Sequence, residues 1–116
     1  MVMSKRDFEQ RLPTAPGYIR DIYYNYEHVF AEDLISVYWY PGWTHIVEGF
    51  LRIVEKDKGT KIVKIKSHYS HLYVHYYSAG DDYASSLDHI NYYCLRSCRY
   101  CGDLIKLGDK YCEQCR

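Results

Sequence analysis

From Trp43 onward the apolar positions fall into a helical rhythm. Trp43, Ile46, Val47, Phe50, Leu51 and Val54 recur at i, i+3, i+4 and i+7, with Glu48, Arg52, Glu55 and Lys56 off the stripe. This predicts an amphipathic helix that ends before Lys58 and Gly59. The period then drops to two. Val63 and Ile65 alternate with Lys64 and Lys66, and Leu72, Val74 and Tyr76 alternate with His71, Tyr73, His75 and Tyr77. These runs, 61–66 and 72–77, predict an antiparallel hairpin joined by residues 67–71, its apolar face against the helix. Upstream, Ser4 is placed to cap a short helix over 5–12, with Asp7 three residues on and Pro13 ending it. Residues 13–17, with two prolines and a glycine, read as a turn or linker. The segment 18–26 is apolar without a clean period, a helix turning into loop. The β-branched and aromatic run 35–40 predicts a strand that Pro41 and Gly42 stop. Residues 78–82 read as loop, and Ser85 or Ser86 caps a last helix from Leu87 to about Leu95. The expected fold class is α+β: a short antiparallel sheet packed by an amphipathic helix, with a C-terminal zinc ribbon. The expected parts are an N-terminal helix and linker (1–17), an α+β core (18–96) and the ribbon (97–116).

The ribbon follows from two cysteine pairs. Cys98 and Cys101, then Cys112 and Cys115, form two CxxC motifs ten residues apart, the four thiolates that a tetrahedral structural Zn2+ takes. Gly102 stands where the first knuckle needs positive φ or a close backbone approach. A turn signal at Gly108 and Asp109 lets residues 103–111 run out and back. A disulfide framework would need an oxidising compartment, and the N-terminus has no apolar run of the signal-peptide type, so a cytoplasmic setting is expected. Four cysteines also fill the coordination shell, which leaves no open position for catalysis and makes the ion a folding element. Cys94, four residues before the first ligand in an apolar segment, is expected to pack as a small hydrophobe.

Composition narrows the remainder. Fifteen Lys+Arg balance fifteen Asp+Glu, which argues against a dedicated duplex-DNA binder. No segment approaches eighteen uninterrupted apolar residues, so no transmembrane helix is expected. Fifteen of twenty aromatic residues are tyrosine, a residue suited to half-exposed surfaces and interfaces, although most are expected to cap a small core.

The order of these pieces resembles that of a group of small uncharacterised proteins of bacteria, phages and prophages. The likeness covers about residues 40–116: Gly42 and Trp43 opening a helix, the hairpin segment from Val63 to Tyr76, and a helix running into the first cysteine pair. Ser70 and His71 stand where that group carries two glycines, which implies a different hairpin turn here. The resemblance implies origin in a phage or mobile element and brings no activity with it.

Three functions compete. A non-catalytic interaction protein would act on a bacterial protein complex, such as a defence system, through the outer hairpin face of His71, Tyr73, His75 and Tyr77 with Tyr69 at the turn. A single-stranded nucleic-acid binder would use Lys64 and Lys66 beside those rings. Arg96, Arg99, Lys106, Lys110 and Arg116 surround the ribbon, but Asp103, Asp109 and Glu113 dilute them, so such binding is expected to be weak. An enzyme is not expected. His71 and His75 lie roughly 13 Å apart along an extended strand, too far to share a metal, and His68 reaches them only through the turn. Asp81 and Asp82 lie nearby in sequence and complete the set of groups that a second metal site would draw on. His45 and Glu48 form an i, i+3 pair of the kind usually found as a solvated contact. No small-molecule substrate is expected.

Overall fold

A computed structural model of the chain describes residues 5–34, 36–57, 59–68, 71–78 and 83–115. The expected cap Ser4, the strand start Ile35, the turn residues Tyr69 and Ser70, the loop acids Asp81 and Asp82, and Arg116 lie outside them. So does Lys58. Within the described residues the fold is α+β. Its helices are α1 (Lys5–Arg11), α2 (Gly17–Asn25), α3 (Thr44–Val54) and α4 (Ala84–Cys94), and its strands are β1 (Ser36–Tyr38), β2 (Lys61–His68) and β3 (His71–Tyr77).

The amphipathic stripe forms α3 as its period demands. Ile46, Val47, Phe50, Leu51 and Val54 are buried, and Trp43 just before the helix is buried with them. Full burial of six large apolar side chains contributes roughly 10 kcal/mol before entropy is counted. Pro41 starts a single 3-10 turn, Pro41–Trp43, that leads into the helix. Trp39, fully buried, donates from Nε1 to Thr44 Oγ1 at 3.1 Å and ties the strand to the helix start.

The sheet order is β1-β2-β3. The β2–β3 pair is antiparallel, as expected of the hairpin, but β1 joins β2 in parallel, so the sheet is mixed. The reason is the intervening helix: a strand that returns through α3 re-enters the sheet in its original direction. Inside β2 the alternation slips. A bulge between Ile62 and Lys64 leaves Val63 as the extra residue, so Ile62 rather than Val63 is buried beside Ile65 and Ser67. The slip keeps Lys64, Lys66 and His68 opposite the buried set.

Helix α4 begins at Ala84, so neither Ser85 nor Ser86 is its cap. Its start is set by a tertiary contact instead, the Tyr83 backbone N–H donating to the Tyr76 hydroxyl at 2.9 Å. Farther along α4, Asn91 Oδ1 accepts from the Leu72 N–H at 2.7 Å and Asn91 Nδ2 donates to the Leu72 carbonyl at 3.2 Å. This side chain satisfies both backbone groups of an edge-strand residue, which would otherwise stand open to pairing with another chain.

Tyrosine divides differently from the expectation. Tyr23, Tyr26 and Tyr83 are buried, whereas Tyr24, Tyr38, Tyr73, Tyr77, Tyr92, Tyr93, Tyr100 and Tyr111 are exposed. Surface, more than core, therefore accounts for the tyrosine excess. No helix among the described residues is long and apolar enough to cross a membrane.

Candidate metal centre

The chain leaves α4 through a turn and enters the first knuckle. Ser97 bridges Leu104, and Ile105 N–H donates to the Arg96 carbonyl at 2.9 Å, so the start of the tail folds back on the end of α4. Within the knuckle, Gly102 N–H donates to the Cys98 carbonyl at 3.0 Å, Cys98 N–H to the Asp103 carbonyl at 2.8 Å and Tyr100 N–H to Cys98 Sγ at 3.4 Å. Gly102 holds φ +87° and Gly108 φ +100°, the left-handed values that the two turns require. The excursion runs out and back as expected, but its arms share no ladder among the described residues. A bond from Arg99 N–H to the Lys110 carbonyl at 3.0 Å closes it instead.

This folding brings Cys98, Cys101, Cys112 and Cys115 together. All four sulfurs lie within 4.8 Å of one another, and Cys101 Sγ stands 3.6 Å from Cys112 Sγ. A tetrahedron with metal–sulfur bonds of about 2.3 Å has sulfur–sulfur edges of about 3.8 Å, so the cluster has the right size for one ion. The same separation is far beyond the roughly 2.05 Å of a disulfide. Among the described residues no other group of three or more histidines, cysteines or carboxylates is gathered in this way. Cys94 takes no part: it is buried in the core, where desolvation pushes its thiol up to about 12.

Crowding decides how the four thiols hold protons. Burial raises the Cys98 thiol, but backbone N–H groups from Cys101, Cys112 and Tyr100 outweigh it and bring the thiol down to about 6. Cys115 is pushed strongly the other way, first through its hydrogen bond to Cys112. Without a cation, then, a thiolate at Cys98 is favoured at the expense of Cys101 and Cys115. A divalent ion removes that conflict by displacing the protons from all four. Metal binding therefore releases protons, and affinity falls as pH falls. Titrating the metal-loaded protein from pH 7.5 to 4.5 with a colorimetric chelator present should show a cooperative release of metal on the acid side, and none between pH 7 and 8.

The knuckle is seated on the helix start rather than hanging from it. Gly42 N–H donates to the Arg99 carbonyl at 2.8 Å, and Trp43 Nε1 donates to the Ser97 carbonyl at 3.4 Å. The two backbones touch through two glycines. A methyl group on Gly42 would lie 2.0 Å from the Cys98 carbonyl oxygen and 2.6 Å from Gly102 N, and one on Gly102 would lie 2.7 Å from the Gly42 carbonyl oxygen. Cys98 is consequently buried while Cys101 is exposed. Sequence reasoning placed Gly42 at a strand end and Gly102 in a knuckle without connecting them; a glycine pair with no local need at Gly42 was the available signal.

The remaining candidates separate. His45 lies against Gly102, while Glu48 accepts from the Tyr26 hydroxyl at 3.3 Å and pairs with Arg52 at 3.7 Å. His68 and His71 face each other across the hairpin, and His75 pairs with Lys64 instead. Lys66 pairs with Tyr73, and both are exposed together with His71, His75 and Tyr77. Tyr77 differs from the others in lying against Asp33. Sequence reasoning missed β1's contribution. Tyr38 pairs with Lys66 from the other side, so Tyr38, Lys66 and Tyr73 form one row across the three strands. Tyr40, two residues on, stacks edge-on to Tyr38 and lies 4.7 Å beneath the Arg99 guanidinium. Period-two alternation against buried Val37 and Trp39 would have turned both rings outward, but nothing in the sequence named the strand beside them.

Set against protein-family models, curated proteins and solved structures, the chain matches none.

Proposed function

We propose that this chain is a non-catalytic recognition module, stapled by one structural Zn2+, that works through the open face of its sheet. One observation carries the reading: the row Tyr38–Lys66–Tyr73 spans all three strands and stays in solvent, with His71 and His75 beside it. Exposed rings in register on a rigid sheet are low-entropy contacts of the kind found at binding hot spots. Zinc is favoured as the ion because an all-thiolate tetrahedral set suits it and leaves no coordination position for substrate. The setting, a bacterial cell in which a phage or mobile-element protein covers or bridges a host complex, comes from the resemblance in motif order and not from the geometry.

The test is affinity capture from a bacterial lysate with the metal-loaded chain and with a triple variant, Tyr38→Ala, Lys66→Ala and Tyr73→Ala, checked for unchanged metal content. The wild-type protein should retain a partner that the variant releases. Equal capture by both proteins, or none above a blank matrix, would contradict the reading.

A further inference from the structure

We infer that the open sheet face is a platform for single-stranded nucleic acid, with Tyr38 and Tyr73 as stacking rings and Lys66 and Lys64 as contacts to the strand's phosphates. The inference rests on the recognition reading above and names its partner class.

Charge is the first support. The chain is neutral overall, yet its sheet is not. The strands β1, β2 and β3 contain Lys61, Lys64, Lys66, His68, His71 and His75 and no aspartate or glutamate. Glu32 and Asp33 act on Tyr77, four residues along β3 from Tyr73 and the central row. A neutral protein that sets Lys64 and Lys66 on a sheet whose strands carry no acid offers a local match to a polyanion without the general basicity of a duplex binder.

Geometry is the second. Tyr38 and Tyr73 are 46 % and 47 % exposed and stand on the outer strands of one row, with Lys66 between them on the middle strand. Neighbouring strands are about 4.8 Å apart, so the two rings are separated by roughly 10 Å. The next row, Ser36–Lys64–His75, repeats a cation at the centre. Successive nucleotides present a flat base and a phosphate in turn, and a face that alternates ring and ammonium meets both. An acidic peptide fits less well. Its carboxylates would gain from the lysines but would lie against ring faces that are themselves electronegative. Beyond the end of β1, Arg99 of the first knuckle lies over the Tyr40 ring, which itself meets Tyr38 edge-on.

Fluorescence anisotropy with the metal-loaded 116-residue chain tests this, using labelled fifteen-residue oligo-dT and oligo-rU probes and a duplex of the same length. Both single strands should bind, or one should bind better, with the duplex weaker than either. Two phosphate contacts predict a log–log salt slope of about −1.4, which Lys66→Ala should reduce in size by about 0.7. Tyr38→Ala and Tyr73→Ala should each weaken binding about tenfold, and the phenylalanine variants should stay within about threefold of wild type. Tyr24→Ala, exposed on α2 off this face, should change nothing. Absence of salt-sensitive binding to either single strand, equal affinity for the duplex, or indifference to both ring substitutions would overturn the inference. If the triple variant loses its lysate partner while neither oligonucleotide binds the wild type, the nucleic-acid assignment falls and the recognition module stands. If neither lysate partner nor oligonucleotide is bound, both fall.

Discussion

Replacing Gly42 by alanine should lower the melting temperature of the metal-loaded protein by about 10 °C or more, an effect out of proportion to one methyl group. The added carbon would stand 2.0 Å from the Cys98 carbonyl oxygen, 2.6 Å from Gly102 N and 2.9 Å from the Arg99 carbonyl carbon. All three are backbone atoms, so no side chain can rotate out of the way. Relief requires the knuckle to move off the start of α3. That movement breaks the bond from Gly42 N–H to Arg99 and pulls Ser97 from the Trp43 indole. Overpacking that displaces backbone at a buried interface costs about 3 kcal/mol or more. A second glycine supplies the contrast. Gly49 lies inside α3 with no atom within 4 Å of where a Cβ would go, so Gly49→Ala should raise the melting temperature by a few degrees through helix propensity alone. Thermal melts of the two variants, run side by side, check both signs. A Gly42→Ala protein that melts within about 2 °C of wild type would show that the knuckle does not sit where the glycine contact puts it.

Removing the metal should have the other large effect. Structural Zn2+ sites contribute apparent binding energies of about 10 kcal/mol or more near neutral pH, and nearly all the apolar side chains that could hold this tail unaided are in solvent. Leu104 and Leu107 are 82 % and 65 % exposed, and Tyr100 and Tyr111 are exposed with them. The tail therefore has almost no core of its own. Because the Trp43 indole donates to the Ser97 carbonyl, loss of the knuckle should also expose a ring that is otherwise 1 % accessible. Chelation, or Cys98→Ser, should give a red-shifted tryptophan emission and a melting temperature lower by more than about 10 °C. Cys94→Ala should instead keep a full equivalent of metal and lose stability only through the small cavity it leaves in the core. Retention of metal by Cys98→Ser, or loss of it from Cys94→Ala, would mean that the ligand set has been misassigned.

Local periodicity made most of the elements legible. The α3 stripe, the hairpin and the two CxxC pairs each depend on residues a few positions apart, and each forms close to its expected place. What the sequence hid is non-local. The parallel direction of β1 follows from α3 standing between it and β2, but its seat on the edge of β2 that β3 leaves free is a choice no residue in 35–40 encodes. The bulge at Val63 moved Ile62 into the core because both are β-branched and either phase of the alternation was self-consistent. Helix α4 starts at Ala84 without a side-chain cap, because the N–H of Tyr83 at its N-cap is held by the Tyr76 hydroxyl, a contact between residues that no local cap pattern encodes. For the site, spacing alone named four ligands, yet it could not show that Gly42 and Gly102 meet. It named the hairpin half of the exposed face and missed the part supplied by Tyr38, since a face is shared by strands that only the fold makes neighbours.

Everything else here depends on one ion holding four sulfurs together at the end of the chain. X-ray absorption at the zinc edge of the purified, untagged protein reads the element and its surroundings at once. The account predicts one zinc per chain with a single shell of four sulfurs at about 2.3 Å. A protein without a zinc edge, or a shell that includes nitrogen or oxygen in place of sulfur, would contradict it.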